Sequence, residues 1–297
     1  MILAVRTDLA IECLDFAREQ LPQGVRQENF ETHGLTVNRV TVESEEASQL
    51  LGKPVGEYLT VETSDFKHAT ASFEEVVEGI AGLLSGYLAG PGTGPDGRCV
   101  LVIGLGNQQI TPDALGPRAA KYLLATRHIS RELAEEIGLP GLRPVAVLAT
   151  GVLGQTGIES AEVVSAVTGE LKPACVVVID ALAARSVDRL ATTVQISNTG
   201  IAPGSGVQNS RRELSERSLG VPVVSVGVPM VVDMATVAAD MLGEEERGRV
   251  SEKGRTMMVT PREIDLAVEH AAKTVAFAIN RALQPTLSLE ELMGLVG

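Results

Sequence analysis

The sequence has no tryptophan, and aromatic residues make up only 3% of its 297 residues. Its core must therefore be built from valine, leucine, isoleucine and alanine, which suits buried parallel strands flanked by helices. Hydrophobic residues nevertheless reach 44% of the composition, enough for one large α/β domain or two small ones. The shortage of aromatic residues thus favours the α/β class.

Basic residues are also scarce, with 25 Lys and Arg against 38 Asp and Glu and a formal net charge of −13. The resulting field repels phosphate backbones, so we expect no nucleic-acid partner. The sequence contains no apolar run of about 18 residues, and its N-terminus lacks a signal-peptide pattern. We therefore expect a cytoplasmic protein with no membrane partner.

Only three cysteines occur, and Cys13, Cys99 and Cys175 show no C-x-x-C spacing. They are typical of reduced core residues in a cytosolic protein. The G-x-S-x-G and H-E-x-x-H motifs are both absent, which argues against a serine nucleophile and against that kind of zinc site. None of the four histidines lies beside a predicted strand end: His33, His68, His128 and His270.

Apolar runs alternate with glycine-rich turns and helical segments in the second part of the chain, which predicts a mainly parallel sheet with crossover helices. The runs cover 99–103, 145–149, 175–179 and 223–228. Further upstream, β-branched residues predict strands over 35–42 and 57–62, and apolar spacing predicts a helix over 73–89. Thr7-Asp8 is an N-cap signal for a helix near the N-terminus.

We predict one α/β domain over 1–297, divided into four parts. An N-terminal helix and strands occupy 1–97, and the core sheet occupies 98–242. A charged, glycine-containing stretch over 243–255 indicates an exposed insertion, and C-terminal helices fill 256–297. Pro261 is expected in the first turn of the first of these helices, and Ser288 opens the second.

The most informative stretch is 104–117, directly after an apolar run. It lies at the carboxyl end of a predicted strand, where open α/β sheets place their ligand sites. Thr111 is expected to cap a helix with Pro112 in its first turn, which would favour the charged form of Asp113. Asp113 as an ordinary first-turn acid is an equal alternative. A dinucleotide site is disfavoured because Gln109 replaces the third glycine of G-x-G-x-x-G.

Asp180 follows another apolar run, at the end of a predicted central strand. A carboxylate placed there is poorly hydrated and needs a role, although capping a turn through backbone amides is an alternative. Adjacent parallel strands would bring Asp113 and Asp180 to one crevice, where two close carboxylates can act as an acid and a base. A two-carboxylate metal site completed by water or Asp233 stays open, but Asp233 is better explained as a helix N-cap.

Two further segments, 151–159 and 200–209, are rich in glycine and small polar residues. They form either ordinary loops or the walls of a cleft that binds an extended peptide through main-chain hydrogen bonds. With the glycine-rich turn after residue 103, they supply the candidate substrate-binding residues Gly106, Asn107, Gln155, Thr156, Gly204 and Ser205.

Several of these segments together resemble the germination protease of spore-forming bacteria, a family that degrades the small acid-soluble proteins coating spore DNA. The similarity spans nearly the whole chain, in the expected order. Several long matching segments are more specific than one short motif. The segments are 5–12, 104–117, 155–159, 178–185, 203–207 and 226–233.

The resemblance implies an endopeptidase of the spore core or forespore, a homotetramer, and Asp113 and Asp180 as catalytic residues. It also implies a fold similar to the hydrogenase maturation endopeptidases, whose two acids and a histidine contact a metal. Because no matching histidine follows these strands, we expect an aspartic-type mechanism with no cofactor. A metal-dependent maturation peptidase and a non-catalytic peptide-binding relative are the alternatives.

The chain departs from the family pattern in two places. Family members are made as zymogens, whose pro-segment precedes the motif that begins here at Val5. Only four residues precede Val5, so we expect a mature-like form or another control of latency. Gln208 stands where the family pattern has glycine.

Overall fold

The computed structural model of the protein describes residues 7–14, 21–63, 72–89, 97–204, 212–243 and 250–296. No helix within these ranges is both long enough and apolar enough to cross a membrane. The strands described are β1 (Val25–Thr32), β2 (Leu35–Val42), β3 (Gly56–Glu62), β4 (Val100–Gly104), β5 (Val145–Ala149), β6 (Cys175–Ala184), β7 (Thr193–Ser197), β8 (Val223–Asp233) and β9 (Met258–Val259). The helices described are α1 (Ala10–Leu14), α2 (Glu45–Leu51), α3 (Phe73–Leu88), α4 (Leu115–Ala119), α5 (Arg131–Glu136), α6 (Leu153–Thr156), α7 (Ser160–Leu171), α8 (Glu216–Leu219), α9 (Met234–Leu242), α10 (Ile264–Leu283) and α11 (Leu289–Val296).

These strands join one sheet in the order β1-β2-β3-β7-β8-β6-β4-β5, with β9 paired to β8. Four strands, β5, β4, β6 and β8, run parallel and form what we call the parallel half. The other four of the main order, β7, β3, β2 and β1, pair antiparallel and form the antiparallel half. The predicted α/β class is confirmed, and the sheet is mixed, because β7 pairs antiparallel with β8 and the three N-terminal strands continue the sheet beyond β7.

The four apolar runs of the sequence form the parallel half, as predicted. Every residue of β4 is buried, and so are nearly all residues of β6, which explains their continuous apolar composition. One face of β4 packs Leu101 and Ile103 with Val164 of α7. The opposite face places Val102 in the main core cluster, which also contains Val275 of α10. The parallel half is therefore covered by helices on both faces.

The two predicted upstream strands are confirmed as β2 and β3, whereas β1 and β7 have no counterpart in the sequence-based prediction. β1 is mostly exposed and polar, so its own pattern does not indicate a strand. It pairs with β2 through a two-residue turn at His33 and Gly34, whose φ angles are 48° and 73°. Two successive positive φ angles are typical of a type I′ hairpin turn. Pairing with β2 therefore determines this strand.

The helix predicted over 73–89 is confirmed as α3. Ser72 caps it: the Glu75 N–H donates to the Ser72 hydroxyl at 3.2 Å, and the Glu75 carboxylate accepts the Ser72 N–H at 3.3 Å. This reciprocal pair is a capping box. α10 lies beside α3, where Arg281 forms an ion pair with Glu78 at 2.7 Å.

The C-terminal helices follow the prediction except at one start. α11 begins at Leu289, and the Ser288 hydroxyl accepts the N–H of Glu291 at 3.2 Å. The expectation that Pro261 opens the preceding helix is wrong, because α10 begins at Ile264. The chain before Pro261 is held extended by the antiparallel pairing of β9 with β8, so the helix starts only after a further turn.

The three cysteines are free thiols, as expected. Cys99 and Cys175 are buried, whereas Cys13 is half-buried. Burial raises the pKa of the Cys175 thiol to about 11, which keeps it protonated and unreactive at neutral pH. These features fit structural cysteines.

Candidate active site

The turn after β4 fixes the position of Asp113. Gly106 has a φ of 114°, a conformation that side chains rarely adopt, and an added Cβ atom would overlap the Asp113 carbonyl group. The next residue, Asn107, donates its backbone N–H to the Asp113 Oδ2 atom at 2.8 Å. The glycine thus allows the chain to fold back on itself, and the amide of its neighbour orients the carboxylate.

Asp113 lies in a short 3-10 helix over Thr111–Asp113, and its N–H donates to the Ile110 carbonyl at 2.8 Å. The predicted capping by Thr111 is wrong. Ile110 occupies the N-cap position without a side-chain bond, and the Thr111 hydroxyl instead donates to the Asp265 carboxylate of α10 at 3.0 Å. The Asn107 amide therefore helps to orient Asp113, and a Thr111 cap does not.

A second glycine brings this turn onto the sheet. An added Cβ atom at Gly116 would overlap the backbone of Leu105 and would lie 2.7 Å from the Ile179 carbonyl oxygen. α4 therefore touches both β4 and β6 through its backbone. This contact holds the chain around Asp113 against the end of β6.

Asp180 lies on β6, one residue beyond the point where β4 ends, because Gly104 pairs with Ile179. It is 5% exposed, and its Oδ1 atom accepts the N–H of Ala181 at 3.0 Å. β6 continues to Ala184, well past the predicted run. The expectation that the strands leading to the two acids are parallel neighbours is confirmed.

Asp113 and Asp180 line the same cavity, of about 350 Å³, at the carboxyl end of the parallel half. Most of its wall is apolar or backbone, and Asp8 is the third acid that lines it. A cavity of this size accommodates several atoms of a peptide and a water molecule. Its lining also includes Leu105, Ile110, Pro112, Val152, Ser160, Leu182, Pro203, Val231 and Met258.

The candidate substrate-binding residues fall into two groups. Gly106 and Gly204 line the cavity. Asn107 and Gln155 do not line it, but they connect its walls, because the Gln155 amide donates to the Asn107 side-chain oxygen at 2.7 Å. Thr156 is exposed, and its hydroxyl donates to the Ile158 carbonyl at 2.9 Å. Ser205 lies outside the described residues.

Asp8 was not among the candidate site residues. The sequence indicates only a helix cap there, but the Asp8 Oδ2 atom accepts the N–H of Ala183 at 2.8 Å. The partners are 175 positions apart in the chain. No local pattern identifies a contact of this kind.

The N-cap interpretation of Asp233 is confirmed. Its Oδ1 atom accepts the N–H of Thr236 at 3.1 Å, at the start of α9. Within the described ranges, no group of three or more His, Cys, Asp and Glu side chains is arranged to hold a metal ion, and no histidine lines the cavity. These residues do not supply the ligand set that the hydrogenase-processing resemblance implies.

The fold and this cavity define an α/β protein with an acidic cleft where its parallel strands end. Residues 11–244 match a family model described as germination protease. A germination protease from Clostridium perfringens strain SM101 is 38% identical, over 97% of this chain and 98% of its own. One from Caldanaerobacter subterraneus is 37% identical, over 98% of both chains. One from Bacillus cytotoxicus is 35% identical, over 94% of both.

This chain belongs to the germination protease family. Among solved structures, the [NiFe] hydrogenase maturation protease HycI from Thermococcus kodakarensis gives a TM-score of 0.39 at 18% identity. That match covers 68% of this chain and 98% of the other.

Proposed function

We propose that this protein is an endopeptidase that uses Asp113 and Asp180 as one acid and base unit. The observation that carries this proposal is that both carboxylates line one small cavity at the ends of neighbouring parallel strands. Two carboxylates close enough to share a water molecule repel each other when both are charged, and the proposal is that one of the pair retains a proton. The pair then offers a base and an acid at the same place.

The reaction follows from these two states. The charged carboxylate removes a proton from a water molecule, whose oxygen attacks the carbonyl carbon of the scissile peptide bond. The protonated carboxyl donates a hydrogen bond to the carbonyl oxygen as it gains charge. The carboxyl that took the proton from water then passes it to the leaving nitrogen, the C–N bond breaks as the carbonyl re-forms, and both carboxyl groups return to their starting states.

Each acid is held by a backbone amide before substrate binds. The Asn107 N–H binds Asp113 at 2.8 Å, and the Ala181 N–H binds Asp180 at 3.0 Å. These bonds restrict the rotation of both side chains, so the pair needs little reorganisation during the reaction. In this proposal the two groups share one proton, which we assign to the pair and not to one residue.

The substrates we propose are the small acid-soluble spore proteins, cleaved when the spore germinates. The family is named for germination, and the curated relatives match along nearly their whole length. The net charge of −13 favours basic or neutral substrates over acidic ones. The glycine-containing walls at Gly106 and Gly204 suit an extended peptide bound through its main chain.

The remaining expectations belong to the same proposal. They are a homotetramer, action in the forespore or spore core, and control of latency, by a zymogen form or in another way. Sedimentation of the purified protein tests the tetramer, since a monomeric active enzyme would contradict it.

The central test compares three variants: Asp113→Asn, Asp180→Asn and the double variant. Asparagine preserves the shape of each site but cannot relay a proton, so each single variant is expected to lose at least ~100-fold in kcat. The double variant should be little worse, because residues that act as a unit are not additive. A correctly folded single variant with near-normal turnover would remove that residue from the mechanism.

A chelation experiment distinguishes the aspartic mechanism from the metal-dependent alternative. Activity is measured before and after dialysis against a chelator, and metal content is measured on the same samples. The proposal predicts unchanged activity. Loss of activity that returns with one added metal would favour the maturation-type peptidase instead.

A further inference from the structure

The edge of β6 that faces the cavity has lost its strand partner. β4 ends at Gly104, opposite Ile179, while β6 runs on to Ala184. The Leu105 N–H donates to the Ile179 carbonyl at 2.9 Å, so Ile179 faces the β4 side. Because alternate residues of a strand face the same neighbour, Ala181 and Ala183 face the side from which β4 is missing.

Two carboxylates take the place of the missing strand. The Ala181 N–H donates to Asp180 at 3.0 Å, and the Ala183 N–H donates to Asp8 at 2.8 Å. Buried backbone N–H groups require acceptors, and carboxylates are strong ones. Asp8 thus binds the same strand edge as Asp180, two residues further along.

Asp8 is itself held from several directions. Its N–H donates to the Ala183 carbonyl at 2.8 Å, so backbone and side chain grip the same residue of β6. Its carbonyl oxygen accepts bonds from Lys53 at 2.8 Å and from the Gln195 amide at 3.0 Å. Because these bonds hold Asp8 in place, its two hydrogen bonds with Ala183 also hold this part of β6 in place.

We propose that Asp8 is a positioning residue of the active site. Its carboxylate holds the Ala183 amide and thereby fixes the stretch of β6 that carries Asp180. The inference rests on the proposed function, because it takes Asp180 as part of the catalytic pair. Without this contact the Ala183 N–H would lose its acceptor, this part of β6 would be held less tightly, and the alignment of Asp180 with Asp113 would be disturbed.

Glu12 provides a matched control on the same segment. It is 1% exposed, and its two oxygens accept the N–H groups of Arg185 at 2.7 Å and Ser186 at 2.9 Å. It also pairs with Arg189 at 3.7 Å. Glu12 therefore holds the chain just after β6 by the same chemistry, but it does not line the cavity.

The test compares Asp8→Ala, Asp8→Asn and Glu12→Ala, with kcat, KM and the melting temperature measured for each. Asp8→Ala removes the acceptor, and we expect kcat to fall by ~10- to 100-fold with a small change in KM, as misplaced catalytic groups cause. Asp8→Asn keeps an acceptor oxygen and should restore most of the loss. Glu12→Ala should lower the melting temperature at least as much while keeping kcat of the folded protein.

Three outcomes would overturn the proposal. They are a normal kcat in Asp8→Ala, an Asp8→Asn variant as slow as Asp8→Ala, and a Glu12→Ala variant that loses kcat to the same degree. The second would mean that kcat depends on the charge of Asp8 and not on its hydrogen bond with the Ala183 N–H. The third would mean that general loosening of the segment explains the effect.

Amide hydrogen exchange separates a failure of this inference from a failure of the proposed function. The Ala183 amide should exchange faster in Asp8→Ala and stay protected in Asp8→Asn, whatever the activity of the protein. If the exchange rate of the Ala183 amide is unchanged in Asp8→Ala, the proposed role of the Asp8 carboxylate in holding this amide is wrong. Normal turnover of Asp180→Asn contradicts the proposed function but leaves the exchange result intact.

Discussion

The two halves of the sheet differ in burial and in what they give to the site. Every residue of β4 in the parallel half is buried, whereas β1 in the antiparallel half is exposed along most of its length. Asp113 follows β4 and Asp180 lies on β6, and both strands belong to the parallel half. The antiparallel half contributes Gln195, which binds the backbone of Asp8. One half carries the acids, and the other supports a segment beside them.

Because of this difference, we expect substitutions in the parallel half to change catalysis and substitutions in the antiparallel half to change stability. In the parallel half, backbone approaches backbone at Gly106 and Gly116, so small additions of volume displace the acids. In the antiparallel half, side chains and a hairpin turn determine stability without touching the cavity. Substitutions in the two halves should therefore change different measured quantities.

The largest effect is expected for Gly106→Ala. The φ of 114° and the overlap of the new Cβ atom with the Asp113 carbonyl force the turn to move. We expect kcat to fall by ~100-fold or more, since the Asn107 amide and Asp113 shift together. Gly169→Ala is the control, because nothing lies within 4 Å of its new Cβ atom. Equal activity of both variants would contradict this account of the turn.

A smaller effect, and only on stability, is expected for Leu59→Ala in β3. Leu59 is 1% exposed in the main core, so its truncation should lower the free energy of unfolding by ~3 kcal/mol. The kcat of the folded protein should not change. Leu50→Ala removes the same atoms from a side chain that is 74% exposed and should be close to neutral. A loss of kcat in folded Leu59→Ala would show that the antiparallel half takes part in the chemistry.

The smallest effects belong to the hairpin turn between β1 and β2. Gly34 has a φ of 73°, so Gly34→Ala should cost ~1 kcal/mol of stability although nothing crowds its Cβ position. His33→Asn should stabilise slightly, because Asn-Gly is the preferred type I′ pair. Denaturant unfolding measures both changes. Opposite signs are the expected result, and a destabilised His33→Asn would mean that the Thr32 hydroxyl contact to the His33 ring matters more.

The sequence predicted well the features that depend on a local pattern. The apolar runs that became β4 and β6 are continuous because both faces of these strands are buried. That pattern also predicted that Asp113 and Asp180 follow neighbouring strands. Their roles in catalysis remain a proposal.

Features that depend on distant partners could not be predicted in this way. β1 is polar and becomes a strand through pairing with β2. The position of the Asp8 side chain depends on its hydrogen bond with Ala183, which is 175 positions away in the sequence. Thr111 matched a capping pattern, but its hydroxyl donates a hydrogen bond to Asp265 of α10 instead of capping the helix. In each case a contact remote in sequence outweighed the local preference.

The contact at Gly116 bears on how far this protein can diverge. Because α4 meets β4 and β6 through main-chain atoms, the spacing between the two acids does not depend on the volume of any side chain at that point. A chain about 37% identical to its relatives is therefore expected to exchange many core side chains with little effect on this spacing, provided that residues 106 and 116 stay glycine and Asp8 keeps its contact. Mutational drift elsewhere then affects stability first and the geometry of the acids last.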